Sequence, residues 1–407
     1  MPKVHIVDAI MGKGKTSAAI NFMRDNPDSR YLYITPFLSE VDRIQKSIPN
    51  FKTPAEQPTK KKTLKELIRR RYNIVSTHSL FQQFDQELIQ ICRDNDYTLV
   101  MDEVAEVVDL HDISRSDVDI LKKDYVYIEE NGIIHWKPDK DDYSGRFSRE
   151  KILCDLDSLV EYNNNIMLWM FPIKAFDAFR EVFILTYLFD AQLQKYYYDF
   201  YDLEYDYLYV AGDSIENYHF TTEKTADISP YDYKSLITIE DNEKLNRIGS
   251  IDLSDLSKSW YIRNDGSENM KVLKNNLYNF FRNKCKAPAA ELYWTTFNDY
   301  QHKLKGNGYS SYKKKVRFLP CNARATNDFQ NCWAVAYTVN RYPNPIIVNF
   351  FASRDIHVDQ DKYALSEMLQ FIWRGRIRNG ETIRIYIPSV RMRNLLEKWI
   401  DEVDKDL

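Results

Sequence analysis

The stretch "HIVDAIMGKGKTSAAINFM", residues 5–23, decides which fold the first half of the chain adopts. Its first residues are mostly apolar, as in a short buried strand, and small and apolar residues recur at helical spacing after Thr16. Gly12 and Gly14 lie in the turn that separates the two segments. Glycines let the backbone approach an anion closely, and the helix N-terminus adds a positive pole. The stretch therefore predicts a strand, a phosphate-binding loop and a helix.

This loop supplies the groups that a nucleoside triphosphate requires. A lysine such as Lys15 reaches the β- and γ-phosphates, and the hydroxyl of Thr16 suits a magnesium ligand. Ala9 stands where the strict G-x4-G-K-[ST] pattern has its first glycine. We therefore expect ATP and Mg²⁺ as cofactors. The residues expected to bind the nucleotide are Gly12, Lys13, Gly14, Lys15, Thr16 and Ser17.

An Asp-Glu pair supplies the acidic groups that such a loop needs. The segment "YTLVMDEV", residues 97–104, predicts an apolar central strand that ends at Asp102 and Glu103. Ligands of open α/β sheets bind at the carboxyl ends of the strands. We expect Asp102 to hold magnesium together with Thr16, and Glu103 to act as the base that deprotonates the attacking water.

Length and composition limit the class of protein. The 407 residues suffice for two or three domains, and the hydrophobic content of 44% is ordinary for a globular chain. No apolar run approaches the roughly 20 residues that a membrane helix needs, so no membrane partner is expected. The 5 cysteines have no metal-ligand spacing, which favours a reducing, cytoplasmic compartment.

Strands and helices alternate in two parts of the chain, which predicts an α/β protein with parallel sheets. The alternation stops after the Asp-Glu pair, where "ENGI" predicts a hairpin that turns at Asn131-Gly132. It resumes with a helix expected to begin at Pro172. The predicted organisation is a first domain over 1–190 with an insertion at about 107–165, a connector or small subdomain over 191–266, and a second domain over 267–407.

The order of these motifs resembles that of the superfamily 2 helicases and translocases. The series runs from the phosphate loop through "YITPFLSEVDRI", "VSTHSLF", "VMDEV", "ILTYLFD", "YWTTF" and "NARATNDF" to "QFIWRGRIR". The phosphate loop is similar to the (A/G)xxGxGKT form of that superfamily. Val-Ala follows Glu103, which is not the sequence of the DEAD-box branch.

The resemblance implies two RecA-like P-loop domains that close on ATP, the second of which supplies arginines to the transferring phosphoryl group. Arg374 and Arg378 are the expected catalytic arginines, with Arg376 as the alternative, because the arginines follow Gln370 by 4, 6 and 8 positions rather than by 4 and 7. Gln370 is expected near the γ-phosphate and the water. Lys15 and Glu103 complete the catalytic set.

The resemblance also implies contacts with nucleic acid, DNA in the first place, as a single strand or a fork. Hydroxyls at strand ends are expected to contact its phosphates, which gives sequence-independent binding. The residues are Thr35, Thr77, Thr295, Thr296 and Thr326. Two basic clusters, at 60–71 and 312–318, are either further polyanion-binding surfaces or ordinary solvated faces.

The expected function is therefore an ATP-dependent DNA helicase of a phage or mobile-element replication or recombination system. It would act in the cytoplasm of a bacterial host, with other replication or recombination proteins as partners. One alternative is a DNA-packaging motor, although 267–407 carries an arginine motif rather than the clustered carboxylates of a nuclease. The other is a nucleotide-dependent DNA-binding module that hydrolyses ATP slowly.

Overall fold

The structure, a computed structural model, describes residues 2–224, 231–322 and 328–403. Their Cα positions form two compact units. The first unit contains residues 2–9, 14–224 and 344–358. The second contains residues 10–13, 231–322, 328–343 and 359–403.

Thirteen strands and eight α-helices lie in the described residues 2–224. The strands are β1 (Lys3–Asp8), β2 (Arg30–Thr35), β3 (Phe51–Lys52), β4 (Asn73–Thr77), β5 (Tyr97–Asp102), β6 (Val108–Leu110), β7 (Val126–Ile128), β8 (Ile134–Trp136), β9 (Leu159–Tyr162), β10 (Ile166–Met170), β11 (Glu181–Thr186), β12 (Tyr205–Ala211) and β13 (His219–Thr221). The helices are α1 (Lys15–Asp25), α2 (Leu38–Ser47), α3 (Lys60–Arg69), α4 (His78–Phe81), α5 (Gln86–Asp94), α6 (Arg115–Ile120), α7 (Ser148–Asp155) and α8 (Leu193–Phe200).

Eight of these strands form the central sheet of the first unit, in the order β13-β12-β1-β11-β5-β2-β4-β3. All neighbours pair in parallel except β12 and β13. Helix α1 shares one apolar core with the sheet through Ala18 and Met23, and α3, α5 and α8 contribute to the core of the opposite face. Because helices cover both faces, the central strands are apolar throughout; every residue of β5 is buried.

The segment after β5 leaves this sheet and returns to it at β11. Strands β6, β10 and β9 form a small antiparallel sheet, and β7 pairs with β8 as a hairpin. Gly132 has φ of +90° in the turn, and Asn131 Oδ1 accepts a hydrogen bond from the Ile133 N–H at 2.9 Å. The predicted hairpin at Asn131-Gly132 is confirmed. Val118, Ile134 and Trp136 contribute to a separate apolar core of this insertion.

The second unit is built around a smaller sheet in the order β14-β19-β18-β15, whose neighbours are all parallel. The strands from residue 231 onward are β14 (Ile237–Ile239), β15 (Leu292–Thr295), β16 (Ser311–Tyr312), β17 (Lys315–Val316), β18 (Ala334–Tyr337) and β19 (Ile383–Tyr386). The helices are α9 (Tyr233–Leu236), α10 (Glu243–Asn246), α11 (Lys258–Arg263), α12 (Glu268–Tyr278), α13 (Gln301–Leu304), α14 (Pro345–Ala352), α15 (Gln360–Ile372) and α16 (Val390–Val403). The prediction of an α/β fold with parallel sheets is confirmed.

The described residues of 191–266 do not form a separate connector, and the predicted boundary at 266/267 does not separate the two units. Strands β12 and β13, at 205–221, extend the first sheet, whereas β14, at 237–239, belongs to the second sheet. Helix α14 belongs to the first unit although it lies in the predicted second domain, because Ile347, Phe350 and Phe351 are part of the first unit's core. The eight residues of α14 have an apolar face, but the sequence alone does not show which of the two units this face packs against.

The prediction of a helix that begins at Pro172 was wrong. Residues Ile173–Ala175 form only a single 3₁₀ turn, followed by turns up to β11. Phe176 is buried there among the rings of Phe171 and Tyr198. Aromatic packing therefore holds this segment in an irregular path. Within the described parts of the chain, no helix has the length and apolar character needed to cross a bilayer.

We expect truncation of Phe350 to destabilise the first unit. Its ring is fully buried, with centroids 5.4 Å from that of Phe200 and 5.9 Å from that of Tyr162. Phe350→Ala should lower the free energy of unfolding by about 3–5 kcal/mol, measured by urea titration with circular dichroism. The control Ile215→Ala, at a side chain that is 64% exposed, should stay within about 0.5 kcal/mol of wild type. Equal midpoints for the two variants would contradict this packing.

Candidate functional site

The loop between β1 and α1 has the backbone that an anion site needs. Gly12 and Gly14 have φ of +89° and +87°, in the left-handed region that glycine adopts without strain. A Cβ at Gly14 would lie 2.6 Å from the ring of Tyr218, so a side chain does not fit there. The first helical hydrogen bond of α1 runs from the Ala18 N–H to the Gly14 carbonyl at 2.9 Å. The N–H groups that precede it, at the helix N-terminus, are those that bind anions.

The first turn of α1 carries three polar side chains, Lys15, Thr16 and Ser17. Lys15 Nζ donates a hydrogen bond to the carbonyl oxygen of Ala9, directly after β1. Thr16 is half-buried, and Ser17 is buried with its Oγ accepting a hydrogen bond from Arg43 Nη2 at 3.2 Å. The predicted nucleotide-binding residues thus form one continuous turn of loop and helix.

Asp102 is a buried carboxyl group at the end of β5. Thr35 Oγ1 donates to its Oδ2 at 3.3 Å. The pKa of Asp102 is raised to about 7, mainly by burial and also by the nearby charges of Glu103 and Glu40, while Lys15 and the Thr35 hydroxyl act in the opposite direction. Asp102 at the end of β5 and Lys15 at the start of α1, both in the first unit, are therefore electrostatically coupled.

Glu103 leaves the line of the strand. Its φ of +65° is unusual for a residue with a side chain, and its N–H donates to the Leu185 carbonyl of β11 at 2.8 Å. The side chain is half-buried. Its backbone therefore departs from the extended conformation of β5 directly after the buried Asp102.

Sequence reasoning missed four residues that complete this site. Glu40 and Arg43 of α2 pair at 3.2 Å, and His78 Nε2 lies 2.9 Å from the backbone oxygen of Asp102. Burial raises the pKa of Tyr33 well above its ordinary value, and the charges of Asp102 and Glu40 raise it further. The available signal was positional, since α2 follows β2 and His78 follows β4, whose carboxyl ends share the sheet edge with Asp102.

The end of β1 is tied to the loop after β11 by a second carboxylate. Asp8 accepts hydrogen bonds from the N–H groups of Leu188 and Phe189, each at 2.8 Å. The Ala9 N–H donates to the carbonyl oxygen of Thr186 at 3.1 Å. These hydrogen bonds fix the end of β1, from which the phosphate loop begins, to the end of β11.

The structure corrects the expected nucleic-acid contacts. The side chains of Thr35, Thr295 and Thr296 are fully buried, so their hydroxyls are not presented to a phosphate at the surface. Thr77 is half-buried and lies at the start of α4. Thr326 lies outside the described residues.

The expected catalytic arginines lie beyond the helix that contains Gln370. Helix α15 contains Gln370 but ends at Ile372, and Arg374 and Arg378 lie beyond it, in a turn and a 3₁₀ segment. Arg376 donates from Nε to the Thr382 carbonyl at 2.6 Å, and its guanidinium lies 5.9 Å from the ring centroid of Trp333. These contacts hold Arg376 against its own unit, which weakens its candidacy as the alternative.

Comparison with known proteins gives two domain matches and a full-length relative. Residues 231–400 match the YonV C-terminal Rossmann-like domain, and residues 108–169 match the YonV middle domain. The chain is 37% identical over 416 residues to the SPbeta prophage-derived uncharacterized protein YonV of Bacillus subtilis (strain 168), with 98% of this chain and 99% of the relative covered.

The chain belongs to the YonV family. The family description agrees with an α/β chain whose C-terminal part is Rossmann-like. The YonV middle domain, at 108–169, coincides closely with the predicted insertion at about 107–165. The phosphate loop and Asp102 lie outside both matched domains, so their chemistry is argued from the geometry alone.

We expect the raised pKa of Asp102 to make the protein less stable as pH rises. The folded state holds this proton up to about pH 7, whereas the unfolded chain loses it near the ordinary value of 3.8. This contribution to stability is therefore complete below pH 3.8 and is lost as pH rises towards about 7, by at most about 1.4 kcal/mol per pH unit. Asp102→Asn should remove that part of the slope in urea titrations at several pH values.

The same charge change at Glu106, an exposed residue nearby, supplies the control. Glu106→Gln should keep the wild-type dependence of stability on pH. If Asp102→Asn also kept it, the raised pKa would be wrong.

Proposed function

We propose that this YonV-family protein is a nucleic-acid-dependent ATPase of the helicase or translocase class. The observation that carries the proposal is the coupling of Lys15 with the buried Asp102 beside a loop whose Gly12 and Gly14 are left-handed. An anion-binding loop, a cation and a buried carboxylate in this combination suit a magnesium-bound triphosphate.

The donor groups fit ATP and Mg²⁺ chemically. The N–H groups at the start of α1 and the Lys15 ammonium are suited to the phosphates. Thr16 and Asp102 provide the hydroxyl and carboxylate oxygens that Mg²⁺ prefers, and a bound cation would favour the ionised form of Asp102. Glu103 is a half-buried carboxylate beside them, available to accept the proton of an attacking water.

The step from ATPase to translocase is supported by the motif order and by the architecture. Each of the two units contains a parallel sheet, as two RecA-like domains would. In the first unit, β11 lies between the phosphate-loop strand β1 and the Asp-Glu strand β5. The prophage origin named for the Bacillus relative agrees with a role in phage DNA metabolism.

We expect purified protein to hydrolyse ATP with Mg²⁺, and single-stranded, forked or duplex nucleic acid to raise the rate. Glu103→Gln should lower kcat by about 10²–10⁴-fold while ATP binding is retained, because a proton acceptor is lost. Lys15→Ala should weaken both ATP binding and turnover. Phosphate release and nucleotide-binding titrations measure the two effects.

Lys3→Ala is the matched control, since Lys3 is an exposed lysine at the other end of β1. It should keep wild-type turnover. Full turnover by Lys15→Ala would refute the phosphate-loop assignment. If no nucleic acid changed the rate of hydrolysis, the protein would still be an ATPase, but the proposed translocase function would be refuted.

A further inference from the structure

A short hairpin of the second unit carries three consecutive lysines. We call residues 311–316 the lysine ribbon: β16, the turn Lys313-Lys314 and β17. Ser311 pairs with Val316 and Tyr312 with Lys315, so Tyr312 and Lys315 share one face. All six residues are exposed.

The turn of the lysine ribbon has an unfavourable backbone for its residues. Lys313 and Lys314 have φ of +45° and +68°. A two-residue turn with both φ values positive is usually made by Asn-Gly, because larger side chains are strained there. Strained backbone of this kind is often found at functional positions, and both lysines that adopt it here are exposed.

The base of the ribbon is anchored in the core. Arg317, which follows β17, is buried and donates to the carbonyl oxygens of Leu292 at 2.9 Å and Ala290 at 2.8 Å. Its N–H donates to the Ser310 carbonyl at 3.0 Å and extends the hairpin pairing by one step. Tyr309 and Phe318, on the two sides of the hairpin, belong to the core of the second unit. The lysines are therefore held on a fixed support.

The lysines of the ribbon differ from those of the other basic cluster in their ion pairing. In α3, Lys61 pairs with Asp85 at 2.7 Å, and Lys65 pairs with the same carboxylate at 2.9 Å. Among the residues that the structure describes, no ion pair within 4.0 Å includes Lys313, Lys314 or Lys315. The cluster at 60–71 is thus largely a paired surface, whereas the ribbon presents uncompensated positive charge.

We propose that the lysine ribbon binds the phosphate backbone of duplex DNA. This inference rests on the proposed nucleic-acid-dependent function and supplies an exposed surface in place of the buried Thr35, Thr295 and Thr296. A two-stranded ribbon is narrow enough for the major groove, which is about 12 Å wide. Lys313 Nζ lies 5.3 Å from the ring centroid of Tyr312, so a cation covers the aromatic ring on which an unpaired base would stack. The ribbon therefore suits a duplex backbone better than a single strand.

The test replaces the strained turn with one that folds more easily. Lys313→Asn/Lys314→Gly keeps the hairpin, removes two charges and should raise Tm. Affinity is measured without nucleotide, by fluorescence anisotropy of a labelled duplex of about 30 base pairs at about 50–200 mM salt. The Kd should rise about tenfold or more at the lowest salt, and the slope of log K against log salt should fall by about 2.

Two further variants test whether the loss of DNA affinity depends on where the charges lie and on the charge itself. Lys60→Gln/Lys62→Gln removes two charges from the exposed start of α3 and should keep the wild-type Kd within about twofold. Lys313→Arg/Lys314→Arg keeps the charge and should retain binding. An unchanged Kd for the Asn-Gly variant, an equal loss in the α3 variant, or a loss confined to single-stranded DNA would overturn the proposal.

The DNA-binding experiment and the ATPase assay can refute the two proposals independently. DNA-stimulated hydrolysis together with wild-type duplex binding by the Asn-Gly variant would refute the ribbon alone. Ribbon-dependent duplex binding by a protein that does not hydrolyse ATP would refute the ATPase alone.

Discussion

The candidate site depends on the parallel insertion of β11 between β1 and β5. Its register sets Thr186 beside Asp8 and Leu185 beside Asp102, so three strands separated in sequence end at one edge. Backbone hydrogen bonds fix those ends: the Glu103 N–H donates to the Leu185 carbonyl, and the Ala9 N–H to that of Thr186. The middle segment must therefore leave the sheet after β5 and return at β11. That requirement explains why an independent small core, with its own hairpin, can be accommodated there without disturbing the edge.

Charge balance at this edge links cation binding to protonation. Asp102 is buried, which favours its neutral form, while Lys15 and the Thr35 hydroxyl favour the carboxylate. A pKa of about 7 means that neither form dominates near neutral pH. A divalent cation held by this carboxyl group, as proposed, would displace its proton, so cation binding should release protons and strengthen as pH rises. The same burial that destabilises the protein at higher pH thus makes cation binding at Asp102 depend on pH.

The sequence was sufficient where the determinants are local. The β1–loop–α1 unit follows from an apolar run, two glycines and small helical residues, and β5 from its continuous apolar character. The sequence was insufficient where tertiary packing determines the local structure. Helix α14 packs into the first unit through its apolar face, and the aromatic cluster around Phe176 replaces the helix expected after Pro172. For the site, the sequence indicated Lys15 and Asp102, but the burial of the threonines depends on the depth of their strand ends, which no local pattern encodes.

Left-handed residues that carry side chains lie both at the candidate site and in the lysine ribbon, among other positions of the chain. Glu103 and Leu188 have φ of +65° and +55°, and each N–H makes a hydrogen bond that joins neighbouring strand ends. There the strain, about 1–3 kcal/mol for each residue, is offset by closure of the sheet edge. Lys313 and Lys314 also have positive φ, but their side chains are exposed, so no side-chain burial offsets the cost. The pairing of β16 with β17 offsets part of this cost, and a bound polyanion, as proposed, would offset more of it.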